Sequence, residues 1–528
     1  MRLTRRILFG AVGLIMALGV MAGSPQAEPQ QGGELVIIST QAPRHLNPAV
    51  QSGIATGVPG TQIFATLLRY DGEWNPEPYL AESWEWSDDG LSLTVNLVQG
   101  AVFHDGEPIT SSDVAFSIRT IQENHPFQTM FAPVEEVETP DEHTAVFRLS
   151  QPHPALLLAL SSALSPIIPE HVYGDGQDVA NHPANSAPVG SGPFRLVEFR
   201  PGEQITLERF DDFFIEGRPY LDRMVIRIVR DPSTLVLAME AGEADMLPYY
   251  AESQGIRRLQ GVDGLGYTTR GYEGIGALNW LAFNTRRAPL DDARVRQAIA
   301  YTVDRDFVIN ALHRGTSEPQ LGPIINSSPF FNPDINPYDV DIDRANALLD
   351  EAGHERGADG TRFSLMIDYL PGVAEQQQNV AEYIRSQLRR VGIDVEVRNA
   401  PDFPTWAGRI AGGEFDMTMD LVFNWGDPVI GVHRTYLSSN IRPVIWSNTQ
   451  GYANDRVDAL LAEAGQELDL ERRTALYAEF QEIIAEDVPI YFLNVLPYYT
   501  FYDDRLGNLP ETIWGAMQPM DEVYWTED

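Results

Sequence analysis

The sequence predicts an α/β protein of two or three domains, and three observations predict it. The chain has 528 residues, too long for one ordinary hydrophobic core. Its earlier part is rich in short alternating or apolar runs bounded by turn residues, the mark of strands. Its later part repeats helix then strand, the pattern of an α/β domain.

Taken in order, Arg2, Arg5 and Arg6 precede an apolar run over 7–20 and then small residues. This is the layout of a secretory signal peptide and falls short of a span of about 20 residues, so residues 1–27 are expected to be removed. Cleavage suits either Val20-Met21-Ala22 or Ala27, and Thr4-Arg5-Arg6 also permits twin-arginine export. Residues 32–38 (GGELVII) read as a first buried strand, and 63–69 are apolar at helical spacing. Trp84 to Trp86 and the alternating 91–97 (LSLTVNL) flank Ser87-Asp88-Asp89-Gly90 and predict a hairpin. Phe103-His104-Asp105-Gly106 is a turn, and Thr110 with Asp113 is a capping box opening a helix through Val114, Ile118 and Ile121.

Further on, Gly190-Ser191-Gly192-Pro193-Phe194 opens strands at 194–199 and 204–209. Ser233 is expected to cap a helix over 234–241 that Gly242 ends. Residues 277–284 (ALNWLAFN) read as an apolar strand before an amphipathic helix with Val295, Ala298, Ile299 and Thr302 on one face and Arg294 and Arg296 away from it. Helix 380–391 leads to strand 393–397, strand 415–419 precedes the stretch 421–428, and helices over 459–464 and 474–485 lead to strand 489–496.

The ordered segments LAESW (80–84), DDG (88–90), FHDG (103–106) and TSSDV (110–114) resemble the solute-binding proteins of ABC importers, the family that includes the oligopeptide-, dipeptide- and nickel-binding proteins. The resemblance continues through GSGPF (190–194), 213–231, Glu243-Ala244-Asp245-Met246 and 283–305. Val98-Gln99-Gly100 departs from it, since the family usually carries Arg-x-Gly there. The resemblance implies a two-lobed periplasmic binding protein-like fold of type II, with an extra inserted domain and a hinge of two crossing segments near 276 and 498. The implied division is lobe I over 28–70, 188–276 and 499–528, inserted domain II over 71–187, and lobe III over 277–498.

Composition narrows the function. Net charge is −38, and removing residues 1–27, with three Arg and no acid, leaves −41. Nucleic acid, which needs a basic face, is an unexpected partner. All 37 basic residues are arginine, which excludes Walker-A, Schiff-base and SxxK lysines. The absence of cysteine excludes disulfides, thiol nucleophiles and lipid attachment through Cys. No G-x-S-x-G, HExxH or GxGxxG pattern occurs. His143, His153, His171 and His182 lack i, i+4 metal spacing, and Asp291 with Asp292 reads as a helix start. No catalytic residue, metal or cofactor is expected.

The solute site is expected between the lobes, where aromatics with a few polar anchors line a cleft. The candidate is LVFNWGDP (421–428). In peptide-binding relatives an Asp four residues before the Pro receives the peptide's α-ammonium group; here the Pro is Pro428 and that position is Asn424. An amide brings no charge, which implies tolerance of solutes without a free α-ammonium. Asp427 replaces the charge only if the loop turns it inward; a turn role is the alternative. Trp425, Trp406, Trp280 and Tyr498 offer stacking surface or core. The function expected is a soluble, unlipidated, monomeric periplasmic receptor that captures a peptide or similar solute and delivers it to an inner-membrane ABC permease. The alternative is an exported hydrolase acting on peptides or glycosides through acidic residues.

Overall fold

The computed structural model describes residues 29–526 apart from 372, 374 and 375, so the expected leader lies outside the described residues. The central strand of a seven-stranded sheet is Glu34–Ser39, whose Leu35 and Ile37 are fully buried. It runs parallel to Arg223–Ile228 on one side and Met246–Tyr250 on the other. The hairpin Phe194–Arg200 and Gln204–Arg209 extends one edge, and Tyr499–Asp503 with Leu265–Thr268 extends the other. Asp245 ties the sheet together by accepting a 2.7 Å hydrogen bond from the Val36 amide.

A separate four-stranded sheet orders Ala81–Trp86, Ser92–Leu97, Thr144–Leu149 and Val134–Asp141. Its alternation buries Leu93, Val95 and Leu97, and the expected hairpin forms with Trp84 opposite Val95 and Trp86 opposite Leu93. Helix Ser111–Asn124 begins at the capping box, where Asp113 Oδ2 accepts from the Thr110 amide at 2.9 Å, and buries Val114, Ile118 and Ile121.

The third sheet has six strands, in the order Glu318–Pro319, Ile490–Val495, Ala277–Phe283, Met417–Phe423, Phe363–Tyr369 and Ile393–Arg398. Ala277–Phe283 is buried throughout because helices cover both faces. Leu281 and Phe283 pack with helices Ala293–Ala300, Ile342–Glu351 and Gln378–Arg390; Leu278, Trp280 and Ala282 face helices Asp455–Ala464 and Leu470–Asp487. The chain passes between the seven- and six-stranded sheets twice, over 269–276 and 496–498. There the Leu496 amide donates to Ala277 O at 3.0 Å, and the ring of Tyr272 lies 5.0 Å from that of Tyr249 and 5.4 Å from that of Tyr498.

Four local expectations are corrected. The helix expected over 63–69 is displaced to Ile54–Ile63, followed by strand Leu68–Tyr70, because two glycines and a proline break the helical reading that tertiary packing enforces. Asp231, not Ser233, caps helix Pro232–Glu240, accepting from the Thr234 amide at 2.8 Å. Arg296 is 5% exposed rather than turned outward: it donates to the carbonyls of Leu290, Asp487 and Val488, capping the end of helix Leu470–Asp487. The strand expected at 415–419 runs Met417–Phe423 and carries its alternation up to the candidate loop.

Candidate functional site: an aromatic seam between the sheets

Three stretches of chain meet where strand Met417–Phe423 ends. The Trp425 ring lies 5.0 Å from Phe127, 5.9 Å from Phe423 and 6.4 Å from Trp514. Phe127 follows helix Ser111–Asn124, whereas Trp514 precedes the C-terminal turn Gly515–Met517 and donates from Nε1 to Ser161 Oγ at 3.1 Å. The turn Pro428–Gly431 packs on the turn Gln128–Phe131. Trp425 and Ile430 therefore belong to the same apolar cluster as Phe127, Met130, Leu158 and Trp514. Trp425 holds φ 51, a left-handed conformation that bulky residues rarely adopt, and the seam holds its ring at 3% exposure.

The loop beneath Trp425 is locked by its own polar groups. Asn424 Oδ1 accepts from the Ile325 amide at 2.8 Å, Nδ2 donates to Pro323 O at 3.2 Å, and its amide donates to Gly276 O at 3.1 Å. Gly276 (φ 56) sits so close that an added Cβ would lie 2.9 Å from Asn424 Cβ, and one on Gly431 would lie 1.8 Å from Asn424 O. Both ends of the Asn424 amide are thus engaged by residues 323–325.

Asp427 takes the turn role. Its Oδ1 accepts from the Val429 amide at 2.9 Å, and its two oxygens accept from Arg473 at 2.7 and 2.8 Å, with both side chains buried. Burial alone would raise the Asp427 pKa, but the Arg473 guanidinium and the hydrogen bonds hold it below the usual carboxylate value. Burial pushes neighbouring His433, bonded to Tyr477 OH at 3.0 Å, down to about 3, so it stands neutral beside the pair.

The other aromatics divide. Trp406 is fully buried inside the six-stranded-sheet region against Ala400, Ile410 and Phe415, away from the seam. Trp280 lies mid-strand, opposite Asp420 and 6.1 Å from Phe492, inside the same region's core. Tyr498 sits at the crossing, edge-on to Tyr249. Of the six candidate residues, only Trp425 carries its side chain across the seam.

Sequence reasoning missed two charged residues beside it. Asp420, 5% exposed on strand Met417–Phe423, accepts from the Leu421 amide at 2.6 Å. Burial pushes its carboxyl up to about 8, against the opposing pull of the Leu421 amide, the Trp446 side chain and Arg434. Half-buried Arg434, on the turn His433–Tyr436, donates from Nε to Gly431 O at 3.1 Å and from Nη2 to Phe423 O at 3.2 Å, with its guanidinium carbon 5.1 Å from the Phe127 centroid. Burial lowers its pKa to about 10, partly offset by Asp420. An acid inside the apolar run MTMDLVF was a readable signal for Asp420; Arg434 had none. Among the described residues no three His, Asp or Glu side chains converge as a metal site.

Residues 75–443 match the family described as bacterial extracellular solute-binding proteins, family 5 middle. The chain belongs to that family. As a family 5 solute-binding protein it is 30% identical over 495 residues to heme-binding protein A of Haemophilus influenzae, covering 88% of this chain and 87% of that one. It is 26% identical over 524 residues to the oligopeptide-binding protein AppA of Bacillus subtilis, covering 94% and 91%. The crystal structure of the ABC transporter substrate-binding protein CtaP from Listeria monocytogenes superposes with a TM-score of 0.82 at 26% identity, covering 94% of this chain and all of that one. The fold is thus the type II periplasmic binding protein fold expected, and the chain is the solute receptor of an ABC importer. Nothing in these likenesses favours a hydrolase.

Proposed function

We propose that this receptor is exported by removal of residues 1–27, acts in the periplasm as an unlipidated monomer, and closes two lobes over a peptide or a similarly sized solute for transfer to an inner-membrane permease. Lobe I comprises 28–70, 188–276 and 499–528, domain II comprises 71–187, and lobe III comprises 277–498. The observation that carries the reading is the seam at Trp425, where lobe III meets Phe127 of domain II and Trp514 of lobe I while only residues 269–276 and 496–498 connect the lobes. Two short connections permit hinge closure, for which binding must favour the closed state differentially. A solute enters by separating the aromatic faces and lies among them when the lobes close. Trp425 supplies stacking surface, Asn424 and Asp427 shape the loop, Tyr498 forms part of the hinge, and Trp280 and Trp406 are core. The likeness to AppA, named for oligopeptides, supports peptides as the first solute class to try. Mass spectrometry of protein released from the periplasm under native conditions tests the reading: an N-terminus beyond residue 22 with a stoichiometric small solute is expected, and an intact Met1 or a cleaved, turned-over peptide contradicts it.

A further inference from the structure

We propose that Arg434 is the solute-carboxylate anchor of the cleft, taking a monocarboxylate whose apolar part lies against Phe127, Phe423 and Trp425. The inference rests on the receptor reading above and names the chemistry of its solute.

Arginines in this acidic chain commonly find acids: Arg69 pairs with Asp521, Arg398 with Asp368 and Arg473 with Asp427. Arg434 makes no ion pair among the described residues, although burial of an uncompensated charge is costly. Two other sequestered arginines of the same lobe also lack carboxylates, and they show the difference. Arg296 turns all three guanidinium nitrogens to carbonyls at a helix end. Arg305 bonds Phe492 O at 2.8 Å and Pro337 O and lies 4.1 Å over the Tyr491 ring, inside one lobe. Arg434 is held by two carbonyls on its own side, leaves Nη1 without a hydrogen bond among the described residues, and lies over a ring contributed from across the seam.

That placement does two things. The carbonyls of Gly431 and Phe423 fix the fork without neutralising it, and planar forks suit carboxylates. Asp420, the acid that acts on it, does not cancel the charge, because burial favours its protonated form. One uncompensated positive charge matches one negative charge. A dianionic phosphate would leave an excess negative charge in a low-dielectric seam of a chain whose net charge is already −38. The surrounding rings of Phe127, Phe423 and Trp425 provide the apolar contact.

The test is calorimetry on ligand-stripped protein with two acid and amide pairs: the dipeptide Ala-Phe with its C-terminal amide, and 3-phenylpropionate with 3-phenylpropanamide. Wild type is expected to prefer each acid by about tenfold to hundredfold. Arg434→Gln should abolish the preference by weakening the acids alone, and Arg434→Lys, which keeps charge but not the fork, should retain part of it. If Arg434 merely braces the seam, the Gln variant weakens acid and amide alike and the preference survives, which overturns the proposal. Dipeptides that bind without acid preference leave the receptor reading standing and remove the anchor. A preference confined to the phenylpropionate pair keeps the anchor and removes peptides as solutes. No binding by any of the four removes the anchor and the peptide solute class together, while the family's receptor role stands. Should the Gln variant fail to fold, the acid preference in wild type and its reduction in the Lys variant still decide the matter.

Discussion

Two charged positions seven residues apart on one loop, Asp427 and Arg434, meet opposite fates. Asp427 is closed on itself: Arg473 takes both its oxygens, Val429 takes a third bond, and His433 stands neutral beside it. Among the described residues Arg434 is held only by carbonyls and a ring from domain II, and the acid that acts on it, Asp420, favours its neutral form. The first arrangement fixes where Trp425 stands. The second leaves charge available where the lobes meet. A loop that must be rigid and receptive at once divides the tasks between its two ends.

The comparison breaks most visibly if the closed end is opened. Arg473→Met leaves Asp427 charged and buried, so chemical denaturation should show a loss of about 3–5 kcal/mol, against little loss for Arg434→Gln. An equal loss at both sites would erase the distinction. Next comes Asn424→Asp. The resemblance to peptide-binding relatives implied that an acid here would receive an ammonium group, but a carboxylate cannot donate to Pro323 O. The substitution should instead cost about 1–3 kcal/mol by the same measurement, without improving binding of free-amino over N-acetylated peptides.

Asp420 gives stability a pH dependence. Its folded pKa stands near 8 while the unfolded chain releases the same proton near 4, so between those values folding must take up a proton and stability falls as pH rises. Asp420→Asn should remove this slope, of roughly 1 kcal/mol per pH unit, gaining stability over wild type as pH rises towards 8. Melting curves at pH 5 and 8 with an unchanged difference between the two proteins would contradict it. A solute at a hundredfold excess over its Kd should stabilise the wild type by about 2.7 kcal/mol.

How much of this was legible differs by residue for physical reasons. The hairpin at Trp84 and the capping box at Thr110 were readable because alternation and capping are local. The helix Ile54–Ile63 was not, since Gly57 makes room for Met517 and Gly60 for Pro48, contacts that a helical period does not encode. The loop 421–428 lies at the seam, but the use of Asn424 depends on Pro323 and Ile325, a hundred residues earlier, which no local pattern reveals. Asp420 was visible as an acid in an apolar strand. Arg434 gained its meaning only from Phe127, brought to it by the fold.

If the Trp425 seam is the solute cleft, as proposed, it is open without solute and closed with it. Small-angle scattering on the same preparation before and after stripping by unfolding and refolding tests this most directly. The stripped protein should show a larger radius of gyration, restored to the compact value when the recovered solute is added back. Superimposable profiles, with calorimetry confirming that the solute has bound, would contradict it.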